Sequence, residues 1–344
     1  MKKVVLVGIL FSCGTFFTYS QSELRQQLQD SLKLISSKAD FSKQDTTYID
    51  LLTKLGGIMR YYDADSLYLL AKQAQKYSKL AKYTRGESSS FLRLGDFYSD
   101  LGENEKAINL YTKGLVLAQQ IEDHDLALRI INNLAGENGF KGDYAKALSG
   151  YLAGIDLAEK VGNKDMLSIM NENIATLYVT QKDYVQALVF FKKVKKINEE
   201  IGNEIYQAET MSNLASLYAD MEKLDYAMFN INRSISIFER RSVLDWLAYA
   251  YEIKGKVYLK QDNYKWALRW YRQSESLHRD LDDDRSKIDL LNGMAEAYLK
   301  QGKDSISEQY ALEAYEISGR IQFMEGKQKC ALTLYNIQKN KGQY

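Results

Sequence analysis

The sequence predicts an all-α chain folded as an α-solenoid of helix-turn-helix units, on three observations. Its 344 residues include no proline, the residue that most disrupts a helix interior. A pattern of large and small apolar residues returns every forty positions. Within each period the apolar positions have helical spacing: i, i+1 and i+4 in one half, and i, i+4 and i+7 in the other.

The first element is residues 1–20, read as a secretory signal peptide. Lys2 and Lys3 precede a mostly apolar run from Val4 to Phe17, and cleavage is expected after the small residue Ser20. The run is shorter than the roughly 20 residues of a membrane span, and no later segment is long and apolar enough for one. An alternative takes Leu10-Phe11-Ser12-Cys13 as a lipoprotein motif with Cys13 lipidated, for which Phe11 is bulky. The expected location is the periplasm or cell envelope. Cleavage leaves Cys330 as the remaining cysteine, so stability must come from packing rather than a disulfide.

Residues 21–45 read as an N-terminal capping helix and link. Ser22 to Ser37 is amphipathic and suited to covering the open end of a stack. Residues 46–86 form a divergent first unit, with helices from about Thr47 to Tyr61 and from about Asp65 to Lys82. Its Leu67, Ala71 and Ala74 lie forty before Ala107, Tyr111 and Gly114.

Residues 87–327 hold six regular units. Their large position is Leu94, Leu134, Ile174, Leu214, Lys254 and Met294. The small one beside it is Gly95, Ala135, Ala175, Ala215, Gly255 and Ala295. Three further on stand Tyr98, Asn138, Tyr178, Tyr218, Tyr258 and Tyr298. The second helix repeats Ala107, Ala147, Ala187, Ala227, Ala267 and Ser307. Four beyond those are Tyr111, Tyr151, Phe191, Ile231, Tyr271 and Ala311. A small residue lets two backbones approach, and the neighbouring ring fills the space beside it. KGD, QKD and QDN suit the turn between the helices, while Gly162 and Gly202 can end a helix in the left-handed conformation.

Residues 328–344 read as the first helix of an incomplete eighth unit, Leu332 to Lys339. Lys341-Gly342-Gln343-Tyr344 then repeats the turn Lys141-Gly142-Asp143-Tyr144. Leu332, Leu334, Tyr335 and Ile337 make this helix apolar on more than one side, which favours a longer natural protein over a natural cap.

From about residue 46 to 344 the pattern resembles the tetratricopeptide repeat (TPR): a large-small pair, an aromatic, then Ala, aromatic and Ala. The unit exceeds the family's usual length of about 34 residues. Forty resembles the long-helix variety of kinesin light chain and of bacterial peptide-sensing regulators. Departures are the missing prolines, Lys54 and Lys254 at a large apolar position, Asn138 for Tyr, and Ser307 with Ala311 in the seventh unit. The resemblance implies a right-handed α-solenoid of about seven and a half TPRs, with first helices lining a concave groove.

The position before the large-small pair faces that groove: Arg93, Asn133, Asn173, Asn213, Ile253, Gly293 and Thr333. Asn both donates and accepts, so successive Asn side chains suit the backbone of an extended peptide. Asn ladders at this position resemble the family's peptide-backbone clamps; the alternative is a tolerated polar surface position. Three residues later come Asp96, Thr176, Ser216, Lys256 and Glu296, with Lys260 near a helix end; Lys256 and Lys260 suit a negative ligand tail.

Lys and Arg number 46 against 45 Asp and Glu, so no net field draws the chain to nucleic acid or an acidic membrane. Most of the 26 Tyr fall on packing positions. His124 and His278 have no partner ligands in sequence, and Cys330 has no evident activating base. The acidic link Asp280, Asp282, Asp283 and Asp284 lacks the order of a calcium loop. Phosphate-loop, dinucleotide and nucleophile-elbow motifs are absent. The expectation is therefore no enzyme, no cofactor and no metal: an exported TPR scaffold binding a peptide or protein. The alternative is the extracytoplasmic sensing region of a longer signal-transduction protein. The layout resembles such regions of bacterial sensor histidine kinases and membrane-bound transcriptional regulators.

Overall fold

A computed structural model describes residues 21–60, 62–281, 284–320 and 324–340. The signal peptide, Cys13, Asp282-Asp283 and Lys341 to Tyr344 lie outside the described residues, as does the side chain of His278. The chain divides into two units, meeting between Leu177 and Tyr178.

In the first unit, α1 (Gln21–Ser36) is followed by α2 (Thr46–Met59), α3 (Ala64–Ala81), α4 (Thr84–Asp100), α5 (Asn104–Gln120), α6 (His124–Phe140), α7 (Tyr144–Val161) and most of α8 (Lys164–Thr180). The second holds α9 (Tyr184–Ile201), α10 (Glu204–Asp220), α11 (Leu224–Arg241), α12 (Leu244–Lys260), α13 (Tyr264–Leu281), α14 (Asp284–Lys300), α15 (Asp304–Arg320) and α16 (Met324–Asn340). No strand occurs among the described residues. The fold is an all-α helical-repeat solenoid. The last helix begins at Met324, well before the Leu332 read from the repeat.

Local sequence explains several of the starts and stops. Asp143 and Asp183, forty apart, accept from the backbone N–H three residues on, at 3.2 and 3.1 Å. At the other ends, Gly102, Gly142, Gly162, Gly202 and Gly302 take positive φ. Lys82, Glu122, Lys182, Glu222, Ser242 and Asp262 hold the same left-handed conformation without being Gly.

Packing follows the large-small pattern. Gly95 lies against Tyr111, where an added Cβ would sit 2.4 Å from the ring; Gly255 meets Tyr271 at 2.6 Å. Ala107, Ala147, Ala187, Ala227 and Ala267 are fully buried. The weak seventh unit keeps the arrangement: Ser307 and Ala311 are also fully buried, and the Ser307 hydroxyl donates to Ala295 O at 2.7 Å. The second helices α3 and α5 in the first unit, and α11, α13 and α15 in the second, each pack between the first helices before and after them. First helices also touch one another: α2 on α4 and α4 on α6 in the first unit, and α10 on α12, α12 on α14 and α14 on α16 in the second. Each unit thus has a continuous layer of first helices, and there the polar residues gather.

Candidate functional site: the first-helix layer

In the first unit the layer is organised around Asp96 of α4, which is fully buried. Its Oδ1 accepts from the Tyr111 hydroxyl at 2.9 Å and from Asn133 Nδ2 at 2.8 Å. Its Oδ2 accepts from Arg93 Nη1 at 2.7 Å. Arg60, at the C-terminal cap of α2, places Nη1 3.5 Å from Asp96 and grips Asp100 through Nε and Nη2, both at 2.8 Å. A two-pronged guanidinium–carboxylate contact is among the stronger charge-assisted arrangements. Burial disfavours the Arg60 cation, yet Asp100 and Asp96 hold its pKa well above the ordinary value. Burial also raises the Tyr111 phenol, reinforced by the Asp96 charge.

One rung on, Glu137 of α6 is buried and accepts from the Ser99 hydroxyl at 2.6 Å and from Asn104 Nδ2. Burial pushes its carboxyl above the ordinary range, and those two hydrogen bonds pull the other way. Asn173 of α8 is also buried and donates to Asn132 Oδ1 at 2.7 Å.

Two of the three successive Asn are thereby tied to the scaffold. Asn133 serves Asp96 and Asn173 serves Asn132, which leaves them partial capacity for a ligand. Arg93 and Arg129 each keep a buried Nε without a hydrogen-bond partner. Arg129 makes no ion pair among the described residues and is part-exposed one turn before Asn133. Thr176 turns its hydroxyl back to Glu172 O at 3.0 Å.

In the second unit Asn213 accepts from the Tyr249 hydroxyl at 3.2 Å. Lys256 donates to Ser216 Oγ at 3.2 Å and pairs with Asp220 at 2.8 Å. Lys260 pairs with Glu222, also at 2.8 Å. Both ammonium groups expected to meet a negative tail thus already have carboxylate partners. Ile253 is buried, Gly293 lies against Tyr271, and Thr333 donates to Asn292 Oδ1 at 3.0 Å.

Arg60, Asp100, Asn132, Arg129 and Glu137 were not singled out in the sequence. The repeat carried a signal for some of them, since Arg60 and Asp100 stand forty apart and Asn132 and Asn173 forty-one. Such pairs are the contacts first helices make from one hairpin to the next. Among the described residues no cluster of three or more His, Cys, Asp or Glu is placed to hold a metal ion. Cys330 is buried and its thiol pKa is raised by burial, which disfavours a nucleophilic thiolate.

A layered array of helical hairpins with an internally braced polar face defines a helical-repeat scaffold. Residues 87–160 match the family model of the tetratricopeptide repeat, and the fold of the chain is that of a TPR-type helical-repeat solenoid. No curated protein matches it. Among solved structures it is similar to the apo form of RapI, at 14% identity and a TM-score of 0.63, over 80% of this chain and 98% of that one. A Rap protein complexed with competence and sporulation factor aligns at 15% identity and a TM-score of 0.55, over 95% of this chain and 89% of that one. Yeast Tom70 aligns at 13% identity and a TM-score of 0.59, over 93% of this chain, which spans 59% of the Tom70 chain. At these identities the likeness is one of fold.

Proposed function

We propose that the chain is a non-catalytic, exported scaffold that binds a peptide or protein segment across its first-helix layer. The carrying observation is the unspent polar capacity of that layer in the first unit. Arg93 and Arg129 retain buried Nε donors without partners, beside Asn133, which keeps one amide hydrogen and one carbonyl lone pair after bonding Asp96 and Asn132. The neighbour solved with competence and sporulation factor supports a ligand-binding reading.

The test is selection of random dodecapeptides displayed on phage against the full chain. Enriched peptides should lose roughly tenfold or more in affinity on Arg129→Glu, the scale of one charge-assisted contact. Lys113→Glu, on the exposed side of α5, should leave binding unchanged. Failure to enrich any peptide, or equal binding to Arg129→Glu, would overturn the proposal.

A second reading, the sensing region of a longer signal-transduction protein such as a histidine kinase or transcriptional regulator, draws on α16. Leu332 and Tyr335 there are 61% and 53% exposed. The corresponding positions of α4, Leu92 and Gly95, are buried within the hairpin. A further helix would cover this face. Reading the coding frame past Tyr344 separates the two proposals.

A further inference from the structure

The balanced total charge conceals a local asymmetry on the second helices of the second unit. Tyr226 of α11 and Trp266 of α13 occupy one position of successive repeats and are 63% and 40% exposed. Phe229, one turn on from Tyr226, is 60% exposed. In the first unit the same positions hold Lys106 and Lys146, with Asn109 and Ser149 in place of Phe229.

Cations accompany these rings. The Arg233 guanidinium lies 5.5 Å from the Phe229 centroid and that of Arg269 lies 4.7 Å from Trp266. Lys192 and Lys196 of α9 and Lys265 of α13 are exposed as well. None of these five cations makes an ion pair among the described residues. Together α9, α11 and α13 carry eleven Lys and Arg against six carboxylates. The face ends at α15, where four carboxylates stand against Arg320 alone.

We propose that the outward face of α9, α11 and α13 is an adsorption surface for an anionic lipid bilayer. Tyr226, Phe229 and Trp266 enter the interfacial region, and the five cations meet the headgroups. The exposed rings are dispersed over two helices, Tyr226 and Phe229 on α11 and Trp266 on α13, and two of them carry a cation, Arg233 on Phe229 and Arg269 on Trp266. That suits a fluid interface into which side chains insert one by one, whereas a folded partner needs a contiguous complementary patch. Trp and Tyr combine an apolar body with a polar tip, and Arg stacked on a ring keeps its charge outward. Basic residues beside anionic lipid add attraction that salt weakens. No helix among the described residues is long and apolar enough to cross a membrane, so the contact is peripheral.

Co-sedimentation of the full chain with vesicles tests this. Partition onto phosphatidylcholine mixed equally with phosphatidylglycerol should exceed that onto phosphatidylcholine alone by roughly tenfold or more, and fall with added salt. The triple variant Tyr226→Ser, Phe229→Ser, Trp266→Ser should lose roughly tenfold or more of that partition with its helical spectrum intact. Lys106→Ser with Lys146→Ser, on the first unit, should change it little. Equal partition onto both vesicles, none onto either, or undiminished binding by the triple variant would overturn the proposal. So would competition by polyglutamate that the aromatic changes leave untouched, which would replace bilayer adsorption with plain polyanion binding.

Discussion

Replacing Gly95 with Ala joins the packing of the repeat to the polar face it supports. A Cβ at Gly95 falls 2.4 Å from Tyr111 Cε1 and 2.5 Å from Cδ1, so the ring must move. Tyr151 sits buried in the next hairpin, where Ala135 takes the place of Gly95, so a ring can be accommodated near a Cβ there. What Tyr111 cannot keep on sliding away is its 2.9 Å hydrogen bond to the buried Asp96. Overpacking costs about 1–3 kcal/mol. Weakening a hydrogen bond to a buried charge adds up to about 1.5–3 kcal/mol. Replacing a mid-helix Gly by Ala returns about 0.5–1 kcal/mol. These terms overlap, and the expected net loss is about 2–4 kcal/mol. Equilibrium urea unfolding followed by far-ultraviolet circular dichroism measures it. Gly319→Ala serves as internal control, because nothing lies within 4 Å of its added Cβ and only the helix-propensity gain should remain. If Gly95→Ala matches Gly319→Ala in stability, close packing at the small position is refuted as the organising contact.

Two further outcomes follow from the turns and from Glu137. Lys182 and Asp262 hold φ of 60° and 55° at the turn position where other hairpins have Gly142 and Gly302. Lys182→Gly and Asp262→Gly should each stabilise by about 0.5–1 kcal/mol, read from the urea midpoint, and a loss would count against a strained turn. The Glu137 carboxyl is held above its ordinary 4.5 by burial. Between 4.5 and that raised value the folded chain binds more protons than the unfolded one. Stability from this group is therefore full below pH 4.5 and lost as pH rises through the folded pKa. Subtracting the pH profile of Glu137→Gln from that of the wild type should reveal this decline, and a flat difference would contradict it.

The forty-residue register was legible because packing in a repeat is local: Gly95 and Tyr111, or Ala295 and Ser307, meet within one hairpin. Gly162 and Gly202 announced the turns that end α7 and α9. The same left-handed turns at Glu122 and Ser242 gave no such sign, because tertiary packing holds a residue there against its own preference. For the polar face the sequence placed Arg93, Asn133 and Asp96 at neighbouring rungs, and the structure joins them. It could not foretell that Asn133 and Asn173 would be engaged by Asp96 and Asn132, or that Lys256 and Lys260 would be answered by Asp220 and Glu222. Those outcomes depend on the reach of side chains between hairpins. The forty-residue separation of Arg60 and Asp100 shows where that signal lay.

A peptide or protein segment bound over the first helices would shield their backbone amides from exchange. Hydrogen–deuterium exchange on the full chain, with and without a phage-selected dodecapeptide, tests it most directly. Exchange should slow in α4, α6 and α8, with little change in α3, α5 and α7. Protection confined to the second helices, or none at saturating peptide, would contradict it.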